Sequence, residues 1–109
     1  MAEKVLIVEG TSDRKRVMFV LDEPVNVICT NGTMSESKLE EFIFPIEDRD
    51  VYILVDADES GEKLRKQFKR VLPNATHIYT DKGYGQVETT PYDYLEKILK
   101  KHFLIKEKS

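Results

Sequence analysis

Two uninterrupted apolar runs, Val5-Leu6-Ile7-Val8 and Val51-Tyr52-Ile53-Leu54-Val55, each end on a carboxylate, Glu9 in the first and Asp56 in the second. A run without polar alternation fits a strand covered on both faces, as in the middle of a parallel sheet. With two further β-rich runs the chain has four, at Lys4–Glu9, Val25–Thr30, Val51–Asp56 and Thr76–Thr80, alternating with four segments of helical period. That alternation predicts an α/β fold, a mainly parallel four-stranded sheet between two layers of helices in the sequence βαβαβαβα. The expected strand order is 2-1-3-4, with the two apolar runs as the central pair.

Each helix shows a start and a face. Ser12 is the expected cap of the first, with Val17, Met18 and Leu21 inward and Arg14, Lys15 and Arg16 in its opening turns. Basic residues there oppose the helix dipole, a small cost that an anion would relieve. Thr33-Met34-Ser35-Glu36 reads as a capping box for the second, which buries Leu39, Phe42, Ile43 and Ile46 until Pro45 distorts it. The third follows Gly61, presents Leu64, Phe68, Val71 and Leu72, and stops at Pro73-Asn74; Lys63, Arg65, Lys66, Lys69 and Arg70 fill its remaining surface. Thr90-Pro91-Tyr92-Asp93 reads as a capping box for the fourth, which buries Leu95, Ile98, Leu99 and Phe103. Residues 1–105 are expected to form a single domain and 106–109 a frayed tail. Asp81-Lys82-Gly83-Tyr84-Gly85-Gln86 reads as a flexible loop able to close over a site.

Composition narrows the function classes. A chain of 109 residues supports one layered core. Its formal net charge of −3 supplies no global basic field, so nucleic acid would have to be bound through a local patch or a bridging cation. Cys29, the only cysteine, lies in an apolar run and reads as a buried, inert thiol. His77 and His102 stand alone and read as structural; the residues offer neither a zinc set nor a serine or cysteine triad. The opening apolar stretch is too short for a signal-peptide core or a membrane span, which places the protein in the cytosol with no membrane partner.

In open parallel sheets ligands bind beyond the carboxyl ends of the strands, where the strand order reverses. Glu9 stands there after strand one, followed by Gly10, which would let backbone approach closely; Asp56 ends strand three, and Asp58 lies on the same side of the extended segment. With strands one and three neighbours at ~5 Å, the three carboxylates converge on a volume the size of a hydrated ion. Mg²⁺, with Mn²⁺ as a substitute, would relieve their repulsion and present open positions to phosphate oxygens. The plainer reading of any one such acid is a turn former or helix cap. What distinguishes this chain is the conjunction of Glu-Gly after one core strand with Asp-x-Asp, Glu59-Ser60-Gly61 and a basic helix after another.

The stretches Val5-Leu6-Ile7-Val8-Glu9-Gly10-Thr11-Ser12-Asp13 and Val51–Asp56-Ala57-Asp58-Glu59-Ser60-Gly61 resemble the Toprim domain of topoisomerases, bacterial primases, certain nucleases and recombination proteins. Thr30-Asn31-Gly32-Thr33, Gly61-Glu62-Lys63-Leu64-Arg65-Lys66, Val71-Leu72-Pro73 with His77, and Gly83-Tyr84-Gly85 before Val87-Glu88 resemble in particular the Toprim half of the M-five type of ribonuclease, which matures ribosomal RNA precursors. The likeness runs through nearly the whole chain. It implies that Glu9 serves as general acid or base and as metal ligand, and that Asp56 and Asp58 hold Mg²⁺. It matches Gly10 and Gly61 to the glycines beside these acids and Gly32 to the one closing strand two. Ser60 stands where topoisomerases carry a third acid, and the recognition half of the ribonuclease has no counterpart. Tyr79, Tyr84, Tyr92 and Tyr94 inherit no nucleophilic role.

Phosphate contacts are expected from Gly10, Gly32 and Gly61, from Lys63 in the turn after the acidic loop, from Lys82 in the glycine-flanked loop, and from Arg14 and Lys15 near Glu9. The plain alternative for all these cations is solvated surface. The leading expectation is a Mg²⁺-dependent, ribonuclease-like nuclease or nucleotidyl-transfer module acting on nucleic acid, RNA favoured over DNA by the resemblance alone. A partner protein or a second copy would supply substrate recognition. The runner-up is a nucleic-acid-binding or regulatory module that keeps the metal site without independent catalysis. A receiver-type phosphorylation switch fits less well, because Gly10 takes the place of a second acid after strand one and only four strands are predicted.

Overall fold

The computed structural model describes residues 3–81 and 83–107. Strands β1 (Lys4–Val8), β2 (Asn26–Cys29), β3 (Asp50–Leu54) and β4 (Thr76–Ile78) alternate with helices α1 (Thr11–Val20), α2 (Glu36–Ile43), α3 (Glu59–Val71) and α4 (Tyr92–Leu99). The strands form one sheet in the order β2-β1-β3-β4, every pairing parallel. The expected order holds, and β1 and β3 are the central pair. Their register sets Ile7 opposite Ile53, so both chains leave the sheet at the same rim. The strands are one or two residues shorter than the expected β-rich runs, each ending before the last residue of its run.

The pleat sends alternate residues to opposite layers. Leu6 and Val8 of β1, Val27, Leu54 and Ile78 meet Val17 and Val20 of α1 and Leu95, Ile98 and Leu99 of α4. Val5 and Ile7, Val51, Ile53 and Val55 meet Leu39 and Ile43 of α2 and Leu64 and Phe68 of α3. Two apolar layers on one sheet explain why β1 and β3 read as continuous apolar runs. Each fully buried aliphatic side chain contributes roughly 1.5–3 kcal/mol of transfer free energy.

Three caps differ from those the sequence suggests. Gly10, not Ser12, precedes α1, and Asp13 in its first turn reaches back to accept from the Gly10 amide at 3.0 Å. That start buries Asp13, Val17 and Val20 and leaves Met18 exposed, a turn of about 100° away from Val17. Ser35, not Thr33, caps α2, its hydroxyl accepting from the Lys38 amide. The α4 cap is Pro91, and the Thr90 hydroxyl instead donates to the Gln86 carbonyl, tying α4 to the preceding loop. Near the C-terminus Ile105 bridges Leu21, and the Lys106 amide donates to the Val20 carbonyl.

Candidate metal centre at the rim of the central strands

The chain crosses from β2 back over β1 to β3, so the strand order reverses between β1 and β3, and the acids stand at that point. Glu9, Asp56 and Asp58 each offer a carboxylate oxygen within 4.8 Å of the others. Glu9 and Asp56 are half-buried and Asp58 is exposed.

Each acid is held by main chain. The Asp56 amide donates to Glu9 Oε2 at 2.9 Å, joining the two strand ends. Asp56 Oδ1 accepts from the Val87 amide at 2.8 Å, and the Ala57 amide donates to the Gly85 carbonyl. Asp58 is the N-cap of α3, its Oδ1 accepting from the Gly61 amide at 2.8 Å. The capping role that a lone Asp after a strand suggests is therefore real for Asp58. A carboxylate has two oxygens, so capping leaves the second for a ligand.

Burial pushes the Glu9 carboxyl from its ordinary 4.5 up to about 7, assisted by the side-chain contact with Asp56 and the negative charges of Asp56 and Asp58, and opposed by the Asp56 amide. Asp13, buried beside Gly10, is also raised, first by burial. A raised acid stabilises the fold below its unfolded-state pKa, and the contribution is lost as pH rises through the folded value. Metal-free wild-type protein is therefore expected to lose about 1–2 kcal/mol relative to Glu9→Gln as pH rises from 4.5 to 7, after discounting for solvent around a half-buried group. Urea unfolding of both in chelator at several pH values checks this; a pH-independent difference would contradict it. His77, lowered to about 4 by burial and the nearby Arg65 charge, acts oppositely and cancels in the comparison.

The glycines divide. A Cβ on Gly61 would lie 1.9 Å from the Asp56 carbonyl oxygen, so only glycine lets α3 start against the strand end. A Cβ on Gly10 would meet only Asp13 Oδ2, at an ordinary 3.7 Å, so close backbone approach is not what Gly10 provides. Gly32, at φ 103°, follows Asn31, at φ 56°, in a left-handed turn whose Asn31 amide donates to the Glu9 carbonyl.

The basic residues are dispersed. Lys63 stands in the first turns of α3, exposed and 4.0 Å from Glu59. Arg14 Nε donates to the Val27 carbonyl, which fastens it to β2, and Lys15 is exposed on α1. Lys82 lies outside the described residues. Arg65 departs most from its sequence reading: instead of joining the solvated face it is 2% exposed, with its guanidinium between the ends of β3 and β4. The residues missed in sequence are Arg65, Asp13, Gly85 and Val87. Only Asp13 left a signal, an acid three residues after a glycine at a helix start. Cys29 is half-buried, its thiol pushed up by burial, in keeping with an inert role.

A family model described as the Toprim domain matches residues 4–83. The chain belongs to the Toprim domain family. It is 48% identical to a small TOPRIM domain protein from Bacillus stearothermophilus, whose structure superposes with a TM-score of 0.91 over 97% of this chain and 91% of that one. The uncharacterized protein YusF of Bacillus subtilis (strain 168) is 53% identical over 97 residues, covering 89% of this chain and 66% of YusF. Ribonuclease M5 of Lactiplantibacillus plantarum is 31% identical over 84 residues, and that of Bacillus subtilis 30% over 81, covering 76% and 73% of this chain. The chain spans 44% and 42% of the lengths of those two ribonucleases. Among the described residues no helix is long and apolar enough to cross a membrane.

Proposed function

We propose that this chain performs Mg²⁺-dependent phosphodiester chemistry on nucleic acid, with RNA favoured over DNA. The observation that carries the reading is the convergence of Glu9, Asp56 and Asp58 within 4.8 Å at the point where strand order reverses. An all-carboxylate set fits a hard divalent cation such as Mg²⁺ or Mn²⁺, which would offset the burial and the acidic neighbours that raise Glu9 in the metal-free site. When bound, the ion supplies charge neutralisation at phosphate oxygens. The likeness to ribonuclease M5 supports RNA as the substrate class.

The protein groups divide the remaining tasks. Asp56 and Asp58, anchored by the Val87 and Gly61 amides, would hold the ion. Glu9, which burial and its acidic neighbours raise in the metal-free site, moves the proton at its carboxylate. Lys63 and the first amides of α3 orient a non-reacting phosphate oxygen, once Lys63 releases Glu59. Gly32 and Gly10 line the approach beside Glu9, while Arg14, Lys15 and Lys82 contribute longer-range attraction to the backbone of the nucleic acid.

A second reading, a binding or regulatory module with the same metal site and no turnover, draws on the formal net charge of −3 and the scattered cations. Labelled structured RNA, single-stranded RNA and DNA incubated with the protein, with and without Mg²⁺, separate the two. Mg²⁺-dependent cleavage of RNA is expected; Mg²⁺-dependent binding with intact strands would establish the second reading.

A further inference from the structure

The paired residues of the β3–β4 ladder end at Leu54 and Ile78, and the two chains part beyond them. Arg65, reaching from the second turn of α3, fills that gap: Nη2 donates to the Ile78 carbonyl at 2.7 Å and to the Val55 carbonyl at 3.3 Å. Nη1 lies 3.0 Å from His77 Nδ1, and the guanidinium carbon stands 4.0 Å over the Tyr79 ring. His77 is held well below its ordinary pKa, so its Nδ1 is free to accept. A 2% exposed arginine needs such partners, because an unpaired buried charge costs several kcal/mol. A lysine could not span two carbonyls and a ring in this way.

The Val55 carbonyl belongs to the same peptide as the Asp56 amide, and that amide donates to Glu9 Oε2. One planar group is thus gripped by Arg65 at its oxygen and by Glu9 at its nitrogen. A peptide is rigid about its C–N bond, so the orientation of one edge fixes the other. Hydrogen bonding to the carbonyl also polarises the amide toward its acceptor.

We propose that Arg65 is a positioning residue, which orients the Glu9 carboxylate through the Val55–Asp56 peptide and locks the strand end from which Asp56 and Asp58 project. The functional weight of this device rests on the proposed metal centre, whereas the device itself is a property of the metal-free chain. The hydrogen bonds of Arg65 go to His77 and to the Val55 and Ile78 carbonyls, so it acts on the acids through the main chain.

Amide hydrogen exchange in chelator, read residue by residue by NMR, tests it in Arg65→Lys and Arg65→Gln, with the exposed Lys66→Met as control. The Asp56 amide is expected to lose protection at least about tenfold more than the core amides of Leu6 and Ile53 in both arginine variants, and not in the control. A uniform loss over all three amides, or unchanged Asp56 protection, would overturn the proposal and leave Arg65 an ordinary packing residue. Should neither variant fold, wild-type protein decides: a clamped guanidinium gives separate, slowly exchanging Nη proton resonances, and one averaged resonance would overturn the clamp. Mn²⁺ binding by the wild type is scored separately. Its absence would sink the proposed function while the exchange result still judged Arg65.

Discussion

Glu9→Gln is expected to lower the rate of Mg²⁺-dependent RNA cleavage by a hundredfold or more while leaving the fold intact. The amide oxygen of glutamine can still accept from the Asp56 amide, so the link between the two strand ends survives. What is lost is the titratable carboxyl assigned to proton transfer, and a general acid or base contributes about 10²–10⁴-fold. The loss should appear in kcat more than in KM, because the phosphate contacts lie on other residues. Steady-state cleavage of a labelled RNA, with circular dichroism as a check on folding, measures it. A variant that retained wild-type kcat would remove Glu9 from the chemistry.

Gly61→Ala should lower stability by about 2–3 kcal/mol, seen as a fall in Tm of roughly 10–20 °C. Two effects oppose each other. Alanine is favoured over glycine within a helix by about 1 kcal/mol, and the added methyl would sit 1.9 Å from the Asp56 carbonyl oxygen and 2.9 Å from its carbon. Both contacts are to backbone, which cannot rotate aside as a side chain can. The strand end or the start of α3 must move, and the steric cost exceeds the helical gain. Since Asp58 caps the helix through the Gly61 amide, the same shift should also weaken metal binding. Thermal unfolding checks the first part, and a Tm within about 3 °C of wild type would mean that α3 can slide freely at its start.

The apolar runs made the fold legible, since Val5–Val8 and Val51–Val55 admit little but central parallel strands, and the acids beyond them follow from the geometry of such sheets. Gly61 was legible as part of a motif, although its reason, the approach to the Asp56 carbonyl, is a three-dimensional fact. Helix caps were less so: Ser12, Thr33 and Thr90 are all plausible caps locally, and which residue serves depends on where the strand before or the loop around it releases the chain. Arg65 was hidden, because on a helix with five basic residues the sequence does not show which one turns inward; the Val55 and Ile78 carbonyls that its guanidinium meets are known only from the fold. The loop before α4 suggested mobility by its glycines, yet its Gly85 carbonyl and Val87 amide are fastened to Ala57 and Asp56. Those bonds join main chain distant in sequence and leave no trace in composition.

The central claim is that Asp56 and Asp58, with Glu9 beside them, hold one divalent cation. Titration of Mn²⁺ followed by electron paramagnetic resonance, on wild-type protein, Asp56→Asn and Asp58→Asn, tests it most directly. Saturable binding displaced by Mg²⁺, and weakened at least about tenfold in each variant, is the expected result. Mn²⁺ binding of equal strength in all three proteins, or none by the wild type at millimolar metal, would contradict it.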